Sequence, residues 1–220
     1  MTVKIALISA TALAIPPAAA AVAEALPGSV VWNLLDDRLL QDAKPDGITA
    51  PLAARMDQLI ELAIAGGAEG VLLTCSQYGI RAEARAGSPG EPVVLSADGA
   101  LFADTVARRP GRVLLVASLE SAAADSSTRL AAAFSAAGAQ THIVPLVVAA
   151  AAGPTTEPEL VDMLADAIGA VTEADDVIVL AQYSLAPASA GLAERFDAPV
   201  LDGPGSAARR LSQAIAERPQ

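Results

Sequence analysis

The feature that most restricts the fold of this chain is a pair of short apolar runs, each ending in small polar residues and lying close to half the chain apart. Gly70-Val71-Leu72-Leu73 runs into Thr74-Cys75-Ser76, and Val177-Ile178-Val179-Leu180 runs into Ala181-Gln182-Tyr183-Ser184. Uninterrupted apolar runs of this length, bounded by polar residues, read as strands buried on both faces of a parallel sheet. The same plan of elements recurs around each run. In the first half, strands are expected over Val3 to Ile8, Ser29 to Leu35 and Pro92 to Leu95. Helices are expected from Pro16-Pro17 to Leu26, from the Thr49 cap and Pro51 to Ile64, over Ile80 to Ala86 and over Asp98 to Arg108. Turns at Pro27-Gly28, Gly66-Gly67 and Gly87 to Gly90 separate them. In the second half, strands are expected over Arg112 to Ala117, Thr141 to Val147, Asp176 to Leu180 and Pro199 to Leu201. Helices follow over Ser121 to Ala137, Glu157 to Val171 and Ser206 to Glu217, with a loop over Ala149 to Thr156. The expected fold is α/β: two pseudo-symmetric lobes, each a mostly parallel four-stranded sheet flanked by helices. The lobes are residues 1–109 and 110–220, with the chain free to cross between them, and a site is expected in the cleft between the lobes.

Composition narrows what such a chain can do. At 53% hydrophobic, 18% charged and 3% aromatic residues it is an aliphatic globule, not a disordered chain. A formal net charge of -11 argues against nucleic acid or an anionic membrane as the main partner. It leaves room for a small anion held by local donors. Ile5 to Ile15 followed by Ala18-Ala19-Ala20 imitates a secretory leader, but Ser9 and Thr11 break the apolar run. Val3 to Ile8 makes the better first strand, and no stretch matches a membrane-spanning helix. One cysteine, Cys75, in 220 residues excludes an intramolecular disulfide and fits a reducing, cytoplasmic setting.

Cys75 falls at or just past the C-terminal end of its strand, where open α/β sheets place their ligands. Beside hydroxyls and near the start of a helix, its thiolate is favoured. The plainer alternative is a small buried hydrophobe. Ser9, Thr74, Ser76, Ser118 and Ser184 end strands or follow them, and can donate to the oxygens of a carboxylate. The same donors stabilise the added negative charge when the neighbouring carbon becomes a carbanion, with Cys75 moving the proton. Helix capping explains each hydroxyl singly, but less readily their recurrence in both halves. Tyr183 and Tyr78 are candidate opposing acids, or else amphipathic packing at the cleft rim. His142 lies early in its strand, at the wrong end for this site. Asp36-Asp37-Arg38 reads as a solvated turn and not a metal site. No zinc spacing, P-loop or dinucleotide fingerprint is present.

The order of elements, Thr74-Cys75-Ser76 and Leu180-Ala181-Gln182-Tyr183-Ser184 together resemble the aspartate/glutamate racemase superfamily. That group includes glutamate, aspartate and hydantoin racemases, maleate isomerase and arylmalonate decarboxylase. The resemblance spans essentially the whole chain. It implies cofactor-independent chemistry at the carbon α to a small substrate's carboxylate, no bound metal, and a homodimer. Two-cysteine members use one thiol on each face of that carbon, whereas arylmalonate decarboxylase keeps only the second. Here Cys75 matches the first thiol and Gln182 stands where the second would be. An amide is neither an acid nor a base at ordinary pH. The resemblance thus implies a racemase/isomerase-type enzyme with Cys75 as acid/base, and a carboxylate cradle of Ser9, Thr74, Ser76, Ser118, Gln182, Tyr183 and Ser184. Two other readings stay open: a decarboxylase or lyase in which one thiol protonates, and a carboxylate binder that has lost its second base.

Overall fold

Lys4–Ser9 forms β1, whose Ile5, Ala6, Leu7 and Ile8 have no accessible surface. A strand apolar on both faces belongs in the middle of a sheet. β1 pairs in parallel with Val30–Leu35 (β2) on one side and Gly70–Leu73 (β3) on the other, and β3 pairs with Val93–Leu95 (β4). The resulting order is β2-β1-β3-β4. The second sheet repeats it: Arg112–Ala117 (β5) lies between His142–Val147 (β6) and Val177–Leu180 (β7), which carries Val200–Asp202 (β8). Its order is β6-β5-β7-β8, again parallel throughout. Pro145 lies within β6, an edge strand, where a missing amide hydrogen is tolerated. The computed structural model describes residues 2–43, 47–85, 91–153 and 155–217.

Among these residues the helices are Ile15–Ala25 (α1), Leu39–Ala43 (α2), Ala50–Ala65 (α3), Gly79–Glu83 (α4), Gly99–Ala107 (α5), Glu120–Ala136 (α6), Glu157–Gly169 (α7), Ser189–Arg195 (α8) and Gly203–Ala216 (α9). Proline in the first turn marks the start of α1, α3 and α7, where its missing donor costs nothing. In α7, Thr156 and Glu159 close a reciprocal capping box. α3 buries Leu52, Met56, Ile60 and Ala63, a helical spacing that puts one face on the first sheet's core. No helix among the described residues is long and apolar enough to cross a membrane.

The strands fall within a residue or so of the expected positions. Two short helices, α2 and α8, were not expected, and the helix expected to reach Ala86 ends at Glu83. The turn expected over Gly87 to Gly90 lies outside the described residues.

Two compact units result: Met1–Ala100 with Pro204–Gln220, and Leu101–Gly203. β4 and α5, like β8 and α9, read in sequence as matching strand–helix pairs. In the folded chain each pair is divided between the units. Leu101 and Phe102 of α5 join the second unit's core with Val113, Leu115 and Phe134. α9 serves the first unit, where Gly70 of β3 lets it approach. A Cβ on Gly70 would stand 2.7 Å from Leu211 Cδ1 and 3.0 Å from Ile5 Cδ1, tighter than close-packed interiors allow without a shift.

Candidate active site

Strand register makes the two halves comparable residue by residue. Ile8 of β1 pairs with Leu73 of β3, and Val116 of β5 pairs with Leu180 of β7. One residue further on, the Thr74 amide donates to the Ile8 carbonyl (3.0 Å) and the Ala181 amide to the Val116 carbonyl (2.9 Å). Cys75 and Gln182 come next and are therefore equivalent. Both are extended, with φ/ψ of -111°/117° and -137°/141°, and both lead into a 3-10 turn. The turns close alike: the Tyr78 amide donates to the Cys75 carbonyl (3.2 Å) and the Leu185 amide to the Gln182 carbonyl (3.0 Å). The correspondence of Cys75 with Gln182 expected from sequence is thus a property of the backbone.

The serines that end the first strand of each half do not correspond. The same register sets Ser9 against Ala117, and Ala10 against Ser118. Because successive side chains alternate between sheet faces, a slip of one residue changes the face. Ser9 has no accessible surface, and Thr74, 5% exposed, donates its hydroxyl to Ser9 Oγ at 2.9 Å. This buried pair follows the pleat of Leu7 and Leu72. Cys75 follows the other pleat, half-buried against the apolar cluster that holds Ile8, Ala10, Leu73 and Tyr78. In the second unit the serine lies on the side of the key residue. The Ser118 amide donates to Gln182 Oε1 (2.6 Å) and the Ser118 hydroxyl donates to the same oxygen (3.1 Å).

The tyrosines also differ from expectation, since neither lies at a rim. Tyr78 is fully buried and donates to the Leu39 carbonyl (3.1 Å). Burial pushes its phenol above the ordinary range; the negative charge of a Cys75 thiolate adds to this and Arg55 opposes it. Of these two neighbours, the thiol is therefore the group suited to proton transfer near neutral pH. Tyr183 is 5% exposed and follows Gln182 directly, whereas Tyr78 comes three residues after Cys75. Ser76 and Ser184 are half-buried on their turns.

An ion network follows β2, at the same end of the first sheet as Cys75. Arg55 of α3 meets Asp36 (2.5 Å) and Asp42 (2.9 Å), and Arg38 also meets Asp42. Its hydrogen bond from Arg55 holds the Asp42 carboxyl below its usual range. Asp36, expected in a solvated turn, is thus an ion-pair partner. Sequence spacing gives no sign of this network, because Arg55 is a charged residue on an otherwise ordinary amphipathic helix. Asp98, a buried carboxylate at the start of α5, carries no sequence signal beyond a helix start. His142 is exposed at the first position of β6, the opposite end from the polar turns. No group of three or more His, Cys, Asp or Glu residues among the described residues is arranged to hold a metal.

No protein-family model matches the chain, and no curated protein matches it. Solved structures do. The chain is similar to allantoin racemase from Klebsiella pneumoniae at 18% identity and TM-score 0.69, over 98% of this chain and 88% of that one. It is similar to the aspartate racemase of Picrophilus torridus at 11% identity and TM-score 0.71, over 99% and 96%. It is also similar to an unliganded arylmalonate decarboxylase at 18% identity and TM-score 0.57, over 100% and 95%. Two parallel sheets of matching strand order, each with a polar turn after its third strand in sequence, give this chain the fold that these two racemases and the decarboxylase share.

Proposed function

We propose that the protein is a cofactor-independent enzyme of the racemase/isomerase type, acting at the carbon α to a small substrate's carboxylate with Cys75 as acid/base. The observation that carries this reading is the backbone equivalence of Cys75 and Gln182, each ending the third strand of its sheet and opening a 3-10 turn. In the reaction the Cys75 thiolate takes the α-proton, the electron pair passes into the carboxylate as an enediolate, and the carbon regains a proton from the Cys75 S–H on the same face or from water on the other, which restores the carboxylate. Hydroxyl and amide donors of Ser76, Gln182, Tyr183 and Ser184 hold the added charge, while Ser118, whose amide and hydroxyl both serve Gln182 Oε1, positions that residue. Thr74, whose hydroxyl donates to the buried Ser9 and whose amide donates to the Ile8 carbonyl, braces the strand end that carries Cys75.

Gln182 favours a second reading as well. With an amide in place of a second acid, the one protonating thiol also suits loss of CO2: the carbon–carbon bond breaks, its electrons form the enediolate, and the Cys75 S–H protonates the carbon. Proton NMR in D2O with a panel of α-substituted carboxylates separates the readings. Cys75-dependent exchange of the α-proton is the expected result, with loss of at least ~100-fold in Cys75→Ala, in line with removal of a general acid/base. Loss of a carboxyl group makes the decarboxylase reading correct. A carboxylate that binds but shows neither reaction leaves a binding protein and ends the enzyme reading.

A further inference from the structure

The Ser118–Gln182 contact determines which end of the amide is available to a ligand. A backbone amide can only donate, so the atom 2.6 Å from the Ser118 nitrogen must be the carbonyl oxygen of Gln182 and not its nitrogen. A second donor, the Ser118 hydroxyl, is spent on the same oxygen. Both acceptor directions of Oε1 are thereby used, and the side chain cannot turn over without breaking two hydrogen bonds. The Nε2 group, with two protons to give, makes no hydrogen bond among the described residues and is not a buried orphan. Ser118 itself is 3% exposed, so the clasp is formed by a buried residue of the strand end and not by a surface side chain. A glutamine amide can act as donor or acceptor, and here the acceptor half is removed from play.

We infer that Gln182 is a fixed hydrogen-bond donor to an anionic oxygen of the ligand, with Ser118 as the residue that positions it. This rests on the carboxylate-handling reading above and deepens it: the second unit supplies charge stabilisation and no proton. A neutral amide that only donates selects for negative charge, and selects most strongly for the form carrying the most charge. In the first unit no side-chain hydroxyl stands at the position equivalent to Ser118. The position equivalent to Ser118 is Ala10, which lies in an apolar cluster beside Cys75.

The test uses trifluoroacetate, a carboxylate with no α-proton, so that binding is read apart from turnover. In ¹H–¹⁵N NMR of the whole protein, the Gln182 side-chain amide pair, identified by its disappearance in Gln182→Leu, should move saturably as trifluoroacetate is added. Gln182→Glu keeps the shape and the two Ser118 bonds but presents an acceptor where Nε2 stood. It should weaken binding roughly tenfold or more, beyond the loss in Gln182→Leu, since hydrogen bonds to charged groups are among the stronger ones. Ser118→Ala should weaken binding about threefold, with recovery in Ser118→Thr, while folding by near-ultraviolet circular dichroism stays intact. Amide protons that do not move, a Gln182→Glu variant that binds as well as the parent, or no trifluoroacetate binding at all would each overturn the inference. Cys75→Ala distinguishes the two levels. Cys75-dependent α-proton exchange without a Gln182 response keeps the enzyme reading and ends this one, and a Gln182 response with neither exchange nor loss of a carboxyl group does the reverse.

Discussion

At the scale of single residues, the contrast between Cys75 and Tyr78 decides which group is suited to move protons in the first unit. The thiol is half-buried at the end of β3, while the phenol beneath it is fully enclosed and bonded to the Leu39 carbonyl. A phenol raised by burial stays neutral across the physiological range. The consequence for stability follows from its sign. Above the ordinary value of 10.0 the unfolded phenol loses its proton before the folded one does, so the stability tied to Tyr78 is present below that pH and is lost as pH rises from it through the raised folded value. Tyr78→Phe should flatten this alkaline loss in denaturant titrations. At neutral pH it should cost about 1 kcal/mol, the net worth of the hydrogen bond to the Leu39 carbonyl. An unchanged alkaline limb would show that Tyr78 is not the group responsible.

At the scale of elements, the end of the second sheet opposite its polar turn is held by packing and by an ion pair whose carboxylate is buried. Asp176, with no accessible surface, precedes β7 and accepts from Arg112 at the start of β5 (2.5 Å), from the Glu173 amide (2.8 Å) and from the Thr172 hydroxyl (3.3 Å). Removing one partner of such a pair leaves the other's charge poorly solvated. Asp176→Ala should therefore lower stability by about 3–5 kcal/mol in chemical denaturation. Arg38→Ala, at an exposed pair, should cost under about 1 kcal/mol. Comparable losses in both would refute the distinction. The strands bounded by these contacts were legible in the sequence because each is an apolar run with polar ends. α2 and α8 were not, because helices of five and seven residues bury too few side chains to show a period; α8 buries only Leu192. At the site, Cys75 and Gln182 could be matched from sequence because each stands two residues past its strand. Ser9 and Ser118 could not, because composition at a strand end does not reveal a one-residue slip in the pleat, and that slip puts the two hydroxyls on opposite sides of the key position.

At the scale of the whole molecule, the chain is a duplicated plan whose final helices have changed places. α9 ends the second half of the sequence yet packs on β3 of the first unit through Leu211, against the space left by Gly70. Leu211, fully buried, should cost about 2–5 kcal/mol when cut to alanine. The damage should appear far away in sequence: hydrogen exchange should speed up at the amides of β1 and β3 while β5 and β7 keep their protection. Loss of protection in the second sheet instead would mean that α9 belongs with the half of the sequence that encodes it. The same interruption sets an order of completion during synthesis. Residues 101–203 form one continuous unit, so all of its parts have been made before the final segment, beginning at Pro204, emerges from the ribosome. The first unit begins earlier and finishes last, reversing the usual order in which N-terminal domains close before those that follow. Until those residues arrive, the face of the first sheet that receives Leu211 is an open apolar surface on a nascent chain, and the time taken to make residues 101–203 sets how long a chaperone has to cover it.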